Sequence, residues 1–470
     1  MSEPKVHTPV AIIGAGPAGV AAAVRLNKAG INCHLIDEHQ NVGGAIYRNS
    51  KRAKPALKHL DDDVKDGIAE ILELYNSNKK NIEFLNNTQV LGAEAKNHKL
   101  LLLREGRCIT LSYDFLIVCT GCHEKTIPFP GWTLAGVMTI GGLQLQLKSG
   151  LVKPGNHAVI AGTGPLLSLV AKQAHQAGMS VESVLEAGRR LDLAKHTKDL
   201  LKNKPLMTKG IRYQAYMKRH NIPMHWGWGV VEAHGEKQLE AVTIAPYDKS
   251  WNPDRSKSKT VETDVLGVSY GFLPRSQLTQ ILGVRHEYDK FSGLRPVRDK
   301  LGRVSRHRTY VAGDTGGING SKVAAHQGTL AAIAILIDSE LLSSDELMAE
   351  AVEIQEKAAP LMAFSQAFES FSATRPGLLQ LPKNDTIVCR CEQVTQQQVY
   401  DAIDKGAKDI TGLKMKTRVC MGDCQGKICA AYCCDVLKQK TGQQDVGRLR
   451  PRFPLAPLPI GATANTEVEA

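Results

Sequence analysis

Pro9-Val-Ala-Ile-Ile-Gly-Ala-Gly-Pro-Ala-Gly19 is the stretch that decides the fold. A short apolar run ends in glycine, and glycines stand at positions 14, 16 and 19. Val20 to Ala29 is rich in small helix formers and is followed by Gly30, a natural stop because glycine accepts positive φ. Ile31 to Ile36 returns as a strand and ends at Asp37-Glu38. A lone G-x-G-x-x-G is weak evidence. With a strand before it, a helix after it and an acid beyond the next strand, it has the context that dinucleotide binding needs. Gly14 permits the tight turn, Gly16 lets backbone approach a pyrophosphate, and Gly19 lets helix and strand pack closely. Free N–H groups at the helix start face the phosphates. Asp37, 23 positions after Gly14, is placed to bond ribose hydroxyls, and Glu38 can share the role. An acid there favours a cofactor without a 2′-phosphate.

Moving outward, a related unit appears at Ala158-Val-Ile-Ala161, Gly162-Thr-Gly164, a helical stretch to Gly178, Val181 to Leu185 and then Glu186. Leu167 stands where the third glycine belongs, so an NAD(P)H site, a site for another adenine nucleotide and a nearly empty scaffold all stay open. Between the two units, the strand-like Phe115-Leu-Ile-Val118 leads into Thr120-Gly121, and Gly43-Gly44 forms a close-approach turn. A third glycine-rich site, Tyr310-Val-Ala-Gly-Asp314, precedes a helix-prone stretch from Lys322. Cys119 and Cys122 make a formal C-x2-C, which reads as two small packed residues rather than a redox dithiol. His123 and His326 read as structural rather than catalytic.

The chain has 470 residues, 43% hydrophobic and 23% charged, which suits an ordinary soluble protein of two to four domains. No apolar run approaches the ~18 residues of a membrane span. The polar start, Met1 to Val10, lacks the order of a signal peptide, so a cytoplasmic protein is expected. Net charge is +12, but the cations are scattered and aromatics are only 5%, which points to anionic cofactors and not to nucleic acid.

Seven of the eleven cysteines lie between Cys389 and Cys434. Cys389-Arg-Cys391 is a C-x-C pair, and after 32 residues Cys424 and Cys429 form a C-x4-C pair. Thr395 is placed to cap a helix reaching Asp404, with Gly406 as terminator. Two separated thiolate pairs suit a zinc ion or an iron–sulfur cluster, and C-x-C is untypical of zinc knuckles. Cys420 competes as a ligand, while Cys433 and Cys434 read as small buried side chains on a following helix.

In order along the chain, the Gly14 unit, Thr120-Gly121 and Gly313-Asp314 resemble the markers of the two-dinucleotide-binding flavoproteins of the glutathione-reductase-like superfamily. The resemblance implies FAD, with Asp314 on the ribityl chain and the helix after it aimed at the flavin. Its implied contacts are Gly14, Gly16, Pro17, Ala18, Gly19, Asp37, Glu38, Gly43, Gly44, Arg48, Val90, Thr120, Gly121, Gly313 and Asp314. Gly162, Gly164 and Glu186 are the second nucleotide candidates. Val388-Cys-Arg-Cys-Glu-Gln-Val-Thr395 with Met421-Gly-Asp-Cys-Gln-Gly-Lys-Ile-Cys429 resembles the bacterioferritin-associated-ferredoxin-like domain. That implies a 2Fe–2S cluster on Cys389, Cys391, Cys424 and Cys429; Cys420 departs from the glycine usual in that domain.

Gly43-Gly-Ala-Ile-Tyr-Arg48, Pro128-Phe-Pro-Gly-Trp132, Gly136-Val-Met138, Tyr270-Gly-Phe272 with Pro274, and Arg450-Pro-Arg-Phe-Pro454 extend the likeness over nearly the whole chain. Together they resemble the larger flavin subunits of opine oxidases, hydrogen cyanide synthase and dye-linked proline or hydroxyproline dehydrogenases. Ala45 departs from the glutamine frequent there. This family implies an FAD- and 2Fe–2S-containing subunit of a heteromeric amino-acid or opine dehydrogenase. It also implies a second, β-type flavoprotein subunit carrying the amine-oxidising site, a small ferredoxin-like subunit, and contact with the membrane only through partners. The competing readings are a self-contained NAD(P)H-dependent reductase and a non-catalytic iron–sulfur or nucleotide sensor. The expected fold is α/β: two Rossmann-like dinucleotide-binding domains plus a small helical 2Fe–2S domain. The FAD domain is expected to be discontinuous (1–145 and 270–370), with the second nucleotide domain at 146–269, a linker at 371–386, the cluster domain at 387–440 and a Pro-rich tail at 441–470.

Overall fold

Val10 to Ile13 are all buried, the pattern of a central parallel strand covered on both faces. They end β1 (Val6–Ile13), which is followed by α1 (Pro17–Lys28), β2 (Cys33–Ile36), β3 (Ile82–Leu85), β4 (Thr88–Glu94), β5 (Lys99–Arg104) and β6 (Arg107–Val118). The computed structural model of the chain describes residues 6–48, 62–289, 291, 293–340 and 343–462. The sheet runs β3-β2-β1-β6-β5-β4; the first four strands are parallel and β5 and β4 are antiparallel additions. Glycine ends α1 as the sequence predicts: Gly30 has φ +76.

A second parallel sheet follows, built from β7 (Val137–Thr139), β8 (His157–Gly162), β9 (Ser180–Glu186), β10 (Met224–Trp226) and β11 (Val265–Ser269), in the order β10-β9-β8-β11-β7. Between β8 and β9 lies α2 (Leu166–Gln176). The chain then returns to the first sheet, where β12 (Thr309–Val311) pairs parallel with β6. The two passages between sheets run side by side as a crossover ribbon, because Cys122–Glu124 pairs antiparallel with Phe272–Pro274. α3 (Ser321–Asp338) is apolar nearly all round and packs on α1 so closely that a Cβ on Gly328 would stand 1.9 Å from the Ala18 carbonyl oxygen. α4 (Ser344–Phe371) runs on toward the second sheet.

The expected linker is not a free tether. Leu378 and Leu381 are buried, and Gly377 lies against Trp251 and Asn252 backbone. The cysteine-rich part folds as α5 (Gln396–Asp404), α6 (Ile410–Thr417) and α7 (Ala430–Thr441). Thr395 and Gln398 form a reciprocal capping box at the start of α5. Beyond α7 the tail crosses back to the first sheet: Gln425 Nε2 donates to the Pro454 carbonyl at 2.9 Å, and Leu455 N–H donates to the Leu91 carbonyl at 2.7 Å. Among the described residues no helix is long and apolar enough to cross a membrane.

Candidate functional site

The turn after β1 accepts only glycine at two positions. Gly14 has φ +104 and a Cβ there would stand 2.2 Å from the Cys119 carbonyl oxygen; a Cβ on Gly19 would stand 1.8 Å from the Gly14 carbonyl oxygen. Gly16 begins α1 with no side-chain cap, so the first N–H groups stay available. The Gly43-Gly44 turn folds onto it: Gly43 N–H donates to the Ala15 carbonyl at 2.8 Å. Asp37 accepts from Ala15 N–H at 2.7 Å and from His39 N–H at 2.8 Å. Burial raises its pKa, but the bonds from His39 and Ala15 outweigh that and hold it below the ordinary carboxylate value. Glu38 instead faces outward and pairs with Arg275 at 3.2 Å. Arg48 has a buried Nε with no partner among the described residues, beside a glycine-lined turn and an uncapped helix start. That donor set fits a diphosphate. Val90 lies on β4, two residues past Thr88, whose N–H bonds the Asp37 carbonyl.

Thr120-Gly121 and Gly313-Asp314 meet through Thr315. Gly121 N–H donates to Thr315 Oγ1 at 2.9 Å, and the Thr120 and Thr315 hydroxyls are 3.2 Å apart. Asp314 accepts from Asn319 N–H at 3.0 Å and Gly320 N–H at 3.3 Å, and burial raises its pKa. Cys122 Sγ reaches Asp314 Oδ2 at 3.6 Å. Cys119 and Cys122 are both free thiols, and burial pushes both pKa values up, Cys119 to about 12.

One residue that sequence reasoning missed supports this turn. Lys148 is 1% exposed, and its Nζ donates to the Ala45 and Ile46 carbonyls, both at 2.8 Å, and to Gln144 Oε1 at 3.2 Å. Burial first, and then the charge of Arg48, bring its pKa down to about 7. The spacing of Gln144 and Lys148 puts them on one helical face; nothing local marks their distant partner.

In the cysteine-rich part, Cys389 is within hydrogen-bond reach of Cys429, and Cys391 of Cys424. The C-x-C and C-x4-C pairs therefore face each other. Cys420 is also buried there, its Sγ 3.6 Å from that of Cys429. Cys433 is buried on α7 and Cys434 is half-buried. Four thiols in two opposed pairs fit a wider, two-iron group held by sulfur.

The crossover ribbon joins the two centres. His123 follows Cys122, and its ring lies close to the main chain of Lys427, inside the Cys424–Cys429 loop. Among the described residues its buried Nδ1 has no hydrogen-bond partner, and burial with Arg275 nearby lowers its pKa to about 4. Next along, Lys125 bonds Thr374 at 2.8 Å and Asp435 of α7 at 3.1 Å.

The second unit repeats the logic of the first. Glu186 accepts from Gly164 N–H at 2.9 Å and Gly188 N–H at 2.8 Å, as Asp37 does from Ala15 and His39. Burial pushes its pKa up to about 7. The end of α4 covers this turn: a Cβ on Gly188 would meet the Phe371 ring at 2.3 Å, and one on Gly164 would meet Ser372 Oγ at 3.2 Å. His326 lies on α3, apart from these contacts.

Residues 8–328 match the family described as pyridine nucleotide-disulphide oxidoreductase, and residues 387–439 match the BFD-like [2Fe-2S] binding domain. The chain is 41% identical to hydrogen cyanide synthase subunit HcnB of Pseudomonas protegens, covering 97% of this chain and 98% of that protein. It is 30% identical to an opine oxidase subunit of Rhizobium meliloti, covering 97% and 87%. The L-proline dehydrogenase from P. horikoshii shares the fold, with a TM-score of 0.69 at 20% identity over 97% of this chain and 79% of that one.

Proposed function

The chain belongs to the family of hydrogen cyanide synthase subunit HcnB and its opine oxidase counterparts, FAD-binding oxidoreductases with a 2Fe–2S domain, and from that premise we propose that it is the electron-relaying subunit of a heteromeric amine dehydrogenase. The amine, of amino-acid or opine type, is oxidised on a partner flavoprotein subunit, and this chain carries the electrons onward. FAD takes two electrons together and a 2Fe–2S cluster passes them singly, so one chain holding both couples amine oxidation to an acceptor loaded one electron at a time.

Gly14, Gly16, Gly19, Gly43 and Gly44 leave room for the FAD pyrophosphate, Arg48 meets its charge, and Asp37 orders the turn. Asp314 is set for the ribityl chain. Cys389, Cys391, Cys424 and Cys429 are the cluster ligands. The flavin unit comprises residues 1–145 and 270–370, with the second nucleotide unit inserted between them. The observation that carries the reading is the ribbon contact, Asp314 to Cys122 and His123 to Lys427, which sets the flavin turn against the cluster loop. A self-contained NAD(P)H reductase is disfavoured, because Phe371 and Ser372 sit on the second glycine turn.

Producing the chain alone and together with its flavoprotein partner tests this. The isolated chain should carry flavin and iron–sulfur bands without amine dehydrogenase activity, and the pair should be active. Full activity from the isolated chain overturns it.

A further inference from the structure

A cleft of about 730 Å³ opens between the crossover ribbon, the cluster domain and the C-terminal tail. That is within the roughly 300–1,000 Å³ of small-molecule sites. Resting on the relay reading, we propose that this cleft is the electron exit, a binding site for a flat aromatic acceptor of quinone type that carries an acid group.

Three features select that chemistry. The walls are apolar, with Ile127, Leu273, Phe291, Leu294, Leu379 and Leu449 facing the space, which suits a flat hydrocarbon body. The charge is one-sided. Asp435 is the one carboxylate among the described lining residues, and it is bound to Lys125. Lys414, Lys427, Arg448, Arg450 and Arg452 also line the cleft, and among the described residues none of them has an ion-pair partner. Such a field in a low-dielectric cleft concentrates anions. The floor is the cluster loop with Cys420 beside it: Cys420, Gln425, Gly426 and Lys427 border the cleft next to His123, whose buried Nδ1 lacks a partner among the described residues. A molecule lying there touches the loop between Cys424 and Cys429.

The step balances. A 2Fe–2S cluster held by Cys389, Cys391, Cys424 and Cys429 would supply the electrons one at a time, each ferrous-to-ferric change matched by one electron delivered and the next drawn from the flavin. The quinone ring takes the two electrons and two protons from the solvent side and leaves as the hydroquinone.

Anthraquinone sulfonate is the probe, with the uncharged hydroxymethyl anthraquinone as its control. Equilibrium dialysis against the oxidised holoprotein should show one site, about tenfold tighter for the sulfonate. Changing Arg448→Glu and Arg450→Glu together, outside the cluster loop, should weaken sulfonate binding about tenfold with the visible spectrum unchanged. Leu379→Trp, filling the cleft from the linker side, should abolish binding of both probes. Anaerobically reduced holoprotein should be reoxidised at a rate that saturates over the concentrations at which the sulfonate binds. Absence of binding, binding indifferent to both variants, or a rate strictly linear in probe overturns the proposal. Missing flavin or iron–sulfur bands, or amine oxidation by the isolated chain, would instead defeat the relay reading, and the two failures are therefore separable.

Discussion

Replacing Lys148 by methionine tests how the flavin turn is held. Methionine keeps most of the volume and the apolar stem, but leaves the Ala45 and Ile46 carbonyls without the donor that lies 2.8 Å from each. An orphaned buried acceptor costs ~1–3 kcal/mol. Ala45 and Ile46 are themselves exposed residues, so water recovers part of this, and relief of the buried amine offsets more. A net loss of ~1 kcal/mol remains, which weakens FAD binding about fivefold. The assay titrates flavin-free protein with FAD at pH 8 by fluorescence quenching, with the cluster bands as internal control. A second arm uses pH. The folded-state pKa of Lys148 lies near 7, below its unfolded value. Between about 7 and 10 the unfolded chain holds a proton that the folded chain has lost, so stability rises with pH across that window and is lowest below it. The wild type should therefore gain Tm over that window relative to Lys148→Met. An FAD affinity within about twofold of wild type, together with coincident Tm profiles, would refute the reasoning.

Three further outcomes follow from the geometry. Gly19→Ala places a Cβ 1.8 Å from the Gly14 carbonyl oxygen, which is backbone and cannot swing aside. The purified variant should lack flavin absorbance and keep the cluster spectrum. Cys429→Ser should abolish the paramagnetic signal of the dithionite-reduced protein while Cys420→Ser retains it; the reverse pattern would transfer the ligand role to Cys420. Anaerobic NADH should leave the flavin oxidised, since Phe371 and Ser372 cover the second turn, and rapid bleaching would restore the reductase reading.

What the sequence discloses about this site depends on the distance between partners. The Gly14 turn and Asp37 belong to one strand–turn–helix–strand unit, and their spacing encodes their chemistry. The same rule explains Glu186, which stands one place later than Asp37 does in its own unit and accepts one N–H one place further along its turn, with a second from two residues on, as Asp37 does. Lys148 has no such signature, because its partners lie about a hundred residues earlier. His123 looks like an isolated histidine until the fold brings Lys427 to it. Phe371 ends α4, and its place over Gly188 depends on how α4 meets the second sheet. The stretch at 373–386 carries two kinds of signal. Pro376, Gly377 and Pro382 suggest a linker, but Leu378 and Leu381, three apart, already mark one buried face, and packing on Trp251 decides in its favour.

The tail shows why this distinction bears on function. Its prolines predict an extended segment, which says nothing of where the segment lies. In the fold it links the strand carrying Val90 to the loop between Cys424 and Cys429, through Leu455 to Leu91 on one side and Pro454 to Gln425 on the other. Phe453 fills the space that a side chain on Gly92 would need. The cluster loop is thus held against the flavin domain at two places, by the tail and by the crossover ribbon with its Lys125–Asp435 pair. One anchor reaches the loop through Gln425 and the other reaches α7 through Asp435, and two separate anchors restrain the cluster domain where a single one would leave a hinge. On the relay reading proposed above, the cluster domain would already be docked for transfer, with the tail and the Lys125–Asp435 pair holding it against the flavin domain.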